Sequence, residues 1–159
     1  MERQGSTDAE RRSLLGRGLR CDKVTDLGRD LLLQRGPTGL FDLDFVEGID
    51  NLGQVLAIAV TTPLGGDAFN VDFGFDGLNA LADEELPLLQ RERIRVAIVN
   101  LLRKDPRVTR IVDVKLLDRR LETPASANRE LEVRVVFETV SSDRLALTAG
   151  TSGTGLTNG

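Results

Sequence analysis

The chain has 159 residues, 40% of them hydrophobic and 29% charged, with a net charge of −4 and an isoelectric point near 5.0. That length buries one core and is short for two, so one domain is expected, and the acidic balance speaks against a chain built to neutralise nucleic-acid phosphates. With Cys21 the lone cysteine and histidine absent, an intrachain disulfide, a cysteine-based metal site and the commonest catalytic base are excluded, and no cofactor or metal is expected.

The first residues, MERQGSTDAERR, are charged where a signal peptide needs an apolar run, and no segment approaches the ~20 apolar residues of a membrane span. Cytoplasmic synthesis without direct membrane insertion is therefore expected. Residues 1–24 read as a partly flexible arm whose arginines, Arg11, Arg12, Arg17 and Arg20, are solvated or touch an acidic surface. A foldable domain is expected over residues 25–147. The stretch GLFDLDFV alternates Phe41, Leu43 and Phe45 against Asp42 and Asp44, the signature of a half-buried strand.

Next, Ile49, Leu52, Leu56 and Ala59 or Val60 fall at helical spacing, with Asp50 near the helix start and Thr61, Thr62 and Pro63 at its end. Leu64 to Gly77 mixes glycine and aspartate with Phe69, Phe73 and Phe75, an ordered loop anchored by aromatic side chains. A second helix runs from Leu86 to Lys104, with a stripe of Ile94, Ala97 or Ile98 and Leu101 or Leu102, and Pro106 stops it by disfavouring helix at Asp105.

Two antiparallel strands follow, one alternating Val108, Val112, Val114 and Leu116, the other Leu131, Val133, Val135 and Phe137. The first breaks its own pattern, with Arg110 on the apolar side and Ile111 on the polar side, which suits an edge device, a partner contact or a bulge. The connection from Asp118 to Arg129 is long for a hairpin and reads as a flap or contact element. Leu145 and Leu147 suggest a short terminal strand, and residues 148–159, almost all small or polar, read as a mobile tail. The fold class is thus α+β: a mainly antiparallel sheet on two principal helices, with tails at both ends.

Chemistry finds little support. No GxSxG elbow is present, and Cys21 has no histidine to activate it. Asp42, Asp44, Glu47 and Asp50 are paired carboxylates of the kind that hydrolyse glycosides, but they equally suit a solvated strand face and a helix start. Val46 breaks the calcium-loop pattern, and Gly16-Arg17-Gly18 and PLGGDAF lack the rest of a nucleotide or phosphate motif.

Three motifs, in this order, resemble the GpW or gene-25-type small baseplate wedge family of contractile phage tails, type VI secretion systems and extracellular contractile injection particles. They are the N-L-x-Q helix followed by T-P-x-G over Asn51 to Gly65, the F-G loop at Phe73 and Gly74, and the junction Asp105-Pro106-Arg107-Val108. The similarity spans Gly39 to Phe137. The family junction usually reads Glu-Pro-Arg, and Asp105 keeps the charge on a shorter arm. The resemblance implies a subunit resident in a baseplate, present in about six copies around a central spike, hub or tube; that it is structural and non-enzymatic follows from the carboxylates, which suit a solvated strand face and a helix start. Its implied partners are other wedge proteins and the sheath subunit, which would be seeded on a sheet edge, with no nucleic acid. The resemblance points to Asp105, Pro106, Arg107, Phe73 and Gly74 as partner-contact residues, to which the aromatic loop adds Phe75 and the irregular strand face adds Arg110. Two further readings stand beside it: a peptidoglycan hydrolase using carboxylates near Asp42–Glu47, and a stand-alone regulator on the same fold.

Overall fold

A computed structural model describes residues 7–23, 29–83, 86–118, 131–150 and 153–159. Its centre is a four-stranded antiparallel sheet of β7 (Val108–Asp118), β8 (Leu131–Thr139), β9 (Arg144–Gly150) and β10 (Gly153–Asn158), in the order β10-β9-β8-β7. Two helices, α2 (Gly48–Thr61) and α4 (Pro87–Lys104), cover one face of it. Leu52 and Leu56 of α2, Ile94, Ile98 and Leu102 of α4, and Val135, Phe137, Leu145 and Leu147 of the sheet share one core and are almost fully buried. The α+β class and the single core expected from the sequence are what the chain adopts.

Local chemistry explains where the helices stop. The hydroxyls of Thr61 and Thr62 donate to the Ala57 and Ile58 carbonyls at 2.9 and 2.8 Å, closing α2 before Pro63. Helix α4 starts at Pro87, whose missing N–H is no loss in a first turn, and carries Arg103 and Lys104 where the helix dipole favours cations. A short helix, α3 (Gly77–Asp83), follows the aromatic loop and was not evident in the sequence. Within that loop Phe75 is buried and Phe73 half-buried, as the anchoring idea requires, whereas Phe69 is fully exposed.

Regular elements stand near both ends of the described chain. Thr7 and Glu10 form a reciprocal capping box that opens α1 (Asp8–Leu15), and Leu15 is completely buried. Arg11 grips the Asp143 carboxylate from Nη2 at 2.8 Å and Nε at 3.1 Å, fastening α1 to the β8–β9 turn. At the other end, β10 pairs with β9 along its whole length. It has one apolar side chain, Leu156, and a Cβ at Gly53 of α2 would lie 3.2 Å from it; the bare helix position is the seat that holds this strand. One well-seated leucine and a ladder of backbone hydrogen bonds hold this strand, which has no apolar pattern of its own.

Before α2, six three-residue strands form three antiparallel ribbons: β1 (Arg17–Leu19) with β6 (Phe45–Glu47), β2 (Cys21–Lys23) with β3 (Arg29–Leu31), and β4 (Leu33–Arg35) with β5 (Phe41–Leu43). The ribbons meet at Arg20, Leu32 and Asp44, whose backbones close a ring: Arg20 N–H donates to Asp44 O (2.9 Å), Asp44 N–H to Leu32 O (3.1 Å), and Leu32 N–H to Arg20 O (2.9 Å). The single strand expected over GLFDLDFV is therefore two strands broken at Asp44. Its faces are also reversed: Phe41 and Phe45 are exposed and Val46 is buried, because the body packs on the opposite side of the ribbon.

The irregular Arg110–Ile111 pattern is resolved by register shifts between Val108 and Arg110 and between Ile111 and Asp113. These bulges put Ile111 against the core and Arg110 outside. The long connection after β7 lies, from residue 119 on, outside the described residues.

Candidate functional site

Polar residues from two of the three sequence motifs, Asn51 and Arg107, converge on the end of α1. The Leu15 carbonyl, left without a helical partner, accepts from Asn51 Nδ2 at 3.0 Å and from Arg107 Nη1 at 3.2 Å. Asn51 is buried, so both its cost of burial and that of the carbonyl are met by the same bond. Three residues on, Gln54 clamps the ribbon junction, donating to Leu19 O at 2.7 Å and accepting from Cys21 N–H at 2.8 Å. Two amide side chains at i, i+3 on a largely apolar helix were a visible signal for such a clamp, although the partners were not.

Asp105, Pro106 and Arg107 form the turn between α4 and β7. The Asp105 carboxylate accepts from Arg107 three times, from the backbone N–H at 2.9 Å, Nε at 2.8 Å and Nη2 at 2.6 Å. Partial burial pushes the Asp105 carboxyl up, but the side-chain and backbone hydrogen bonds from Arg107 and its charge outweigh that and hold it below its ordinary value. The turn is thus a closed ion pair that also ties α1 to β7.

Beside it lies a groove of about 340 Å³ between α2, the end of α4 and the aromatic loop. Val55, Leu56 and Leu101 line it with Phe73, Gly74 and the Asp105–Arg107 turn. Lys104 Nζ donates to Asp72 O at 3.2 Å and pins the loop to α4. Gly74 has φ +114°, and a Cβ there would sit 2.7 Å from the carbonyl oxygens of both Thr62 and Pro63, so this position admits glycine alone. A larger recess of about 630 Å³ continues past Gly74, Leu101 and Lys104 along α4, walled by Leu89 and Val96.

Five of the seven residues singled out from the sequence, Phe73, Gly74, Asp105, Pro106 and Arg107, therefore share one groove. Phe75 does not: its ring is turned into the core, so it holds the loop and offers no side chain to a partner. Arg110 stands apart on β7, paired with Glu138 at 2.8 Å.

Three of the four carboxylates considered for hydrolysis are engaged locally. Asp44 pairs with Arg20 Nε at 2.9 Å, Glu47 with Arg12 at 3.2 Å and Arg17 at 3.7 Å, and Asp42 Oδ1 accepts the Leu43 N–H at 2.8 Å. The basic stretch read as a solvated arm is thus spent largely on intrachain pairs. Among the described residues no cluster of three acidic or cysteine side chains is arranged to hold a metal ion, and no helix is long and apolar enough to cross a membrane.

No family model and no curated protein matches the chain. Among solved structures it is similar to a Geobacter sulfurreducens protein named "putative tail lysozyme", with a TM-score of 0.52 and 17% identity over 64% of this chain and 86% of that one. Likeness at this identity is one of fold: the two chains share a small α+β architecture.

Proposed function

We propose that this chain is a structural, non-enzymatic component of the baseplate of a contractile, phage-tail-like injection machine. One observation carries the reading: the N-L-x-Q helix, the Phe73–Gly74 loop and the Asp105–Arg107 turn, which are distant in sequence, close around a single groove. The fold likeness to a protein named for a tail supports the same reading. In it, the groove receives an apolar side chain of a neighbouring wedge protein, with Asp105 and Arg107 at its rim. The sheath subunit adds a strand to an outer edge of the sheet, at β7 or β10. The subunit is made in the cytoplasm and resides in the particle in about six copies around the spike, hub or tube.

A structural role is favoured over hydrolysis because Asp44 and Glu47 are committed to ion pairs with Arg20, Arg12 and Arg17 on a polar surface. Co-expression with the genomic neighbours, followed by microscopy and mass spectrometry of high-mass particles, tests the proposal. About six copies at one end of a sheathed tube are expected; assembled particles lacking the protein would end it. Loss of cell-wall cleavage in the Asp42→Asn, Asp44→Asn double variant, with assembly intact, would establish the hydrolase reading instead.

A further inference from the structure

The three-ribbon junction has two chemically different faces. Junction residues recur every twelve positions, at Arg20, Leu32 and Asp44, so equivalent positions of the three ribbons share a face. Cross-strand partners also share a face, which joins the pairs Leu19–Phe45, Cys21–Leu31 and Leu33–Leu43 into one apolar cluster. Leu19, Leu31, Leu33 and Phe45 are 37%, 48%, 56% and 42% exposed, an unusual contiguous grouping.

Around this cluster stand Arg17, Arg29 and Arg35. Arg17 lies 3.7 Å over the Phe45 ring and Arg35 lies 5.2 Å over Phe41, so both guanidinium groups are held at the cluster's edge. Among the described residues of this face the one carboxylate, Glu47, is already shared between Arg12 and Arg17. The reverse face carries Asp22, Asp30, Gln34 and Asp42, and beneath β1–β6 it packs on α2 through Val46 and Gly18.

We propose that the apolar, arginine-rimmed face docks an acidic segment of a partner protein, one whose apolar side chains alternate with carboxylates. Leucines and a phenylalanine at the centre offer nothing to a phosphate backbone, whereas a desolvated apolar centre with arginines at its border is the make-up of a protein interface. The chain's own residues 119–130 (RRLETPASANRE) have three arginines against two glutamates and one large apolar residue, and do not complement a basic rim. Electrostatic complementarity here selects the partner and its orientation, and the apolar centre holds it. The proposal stands independently of the baseplate reading, since it concerns a different surface.

The test places a photocrosslinking amino acid in the full chain at Leu33 and, as control, at Gln34 on the reverse face, co-expressed with the genomic neighbours. Expected is an adduct from position 33 alone, mapping to a protein segment rich in aspartate or glutamate. Charge reversal, Arg29→Glu with Arg35→Glu, should lower its yield about tenfold, equivalent to ~1.4 kcal/mol, while Arg29→Lys with Arg35→Lys retains most of it. In parallel, a labelled peptide of alternating glutamate and leucine should bind the full chain about tenfold more tightly than its lysine–leucine counterpart. The proposal is overturned by equal crosslinking from both faces or by no adduct. It is equally overturned by an adduct to residues 119–130, to a second copy, to nucleic acid or to a segment poor in carboxylates, or by equal binding of the two peptides.

Discussion

The sheet-and-helix body and the three-ribbon junction are held by different forces. In the body, Phe137, Val135, Leu52 and Ile98 are removed from water almost entirely, and apolar burial is the dominant stabilising term. In the junction most strand residues remain accessible, and order comes from a ring of three backbone hydrogen bonds, from Gln54 bridging Leu19 and Cys21, and from the Arg20–Asp44 pair. A region built by burial resists substitution through volume, whereas one built by backbone bonding tolerates side-chain change and fails when a donor is lost. The junction can therefore display an apolar face without forfeiting its shape.

The largest test of this contrast is Phe137→Ala, expected to cost about 3–5 kcal/mol in chemical denaturation, set against Phe41→Ala in the junction, expected to stay within about 0.5 kcal/mol. Comparable losses would mean that the junction is also held by burial. Next is Gly74→Val, where a positive φ and two carbonyl oxygens leave no room for a side chain; a loss of about 1–3 kcal/mol is expected from a thermal melt. A neutral result would show that the loop beside the groove can move.

Asp105 gives a smaller effect with a defined pH dependence. Its folded pKa is held below the ordinary 3.8, so its contribution is fully present above that value and is lost as pH falls through the depressed folded value. Denaturation midpoints of the parent and Asp105→Asn should differ by a constant amount above about pH 5 and converge as acid protonates the parent carboxyl. A gap that persists in strong acid would show that the ion pair with Arg107 is not its source.

A local effect with little global cost is expected for Leu32→Pro, which removes the donor that bonds Arg20 O. Amide exchange should speed up at Arg20 and Asp44 while overall stability falls by less than about 1 kcal/mol. Loss of the whole fold would merge the two regions into one cooperative unit.

Helices α2 and α4 and strands β7 and β8 were legible because their apolar periods, 3.6 and 2, continue long enough to be distinguished from chance. The stop at Pro106 and the ambiguous Arg110–Ile111 step were also visible, the latter as one of three readings that the bulges then decided. The groove was half legible: Phe73, Gly74 and the Asp105–Arg107 turn stood out, but their meeting with α2 did not. Phe75 could not be told from its exposed neighbour Phe69 by type alone. The twelve-residue repeat of the junction was present and weak, since three-residue strands are too short to show a period.

By itself, then, the chain's order of residues determined its class, its main helices and strands, and the residue types available for chemistry, because these follow from composition and from patterns within one element. Tertiary structure alone decided which carbonyl Arg107 and Asn51 serve, that Leu156 seats against Gly53, and which face of the ribbons meets water. Each of these depends on backbone groups and surfaces brought together across tens of residues, and no local pattern encodes the partner of a bond that only packing creates.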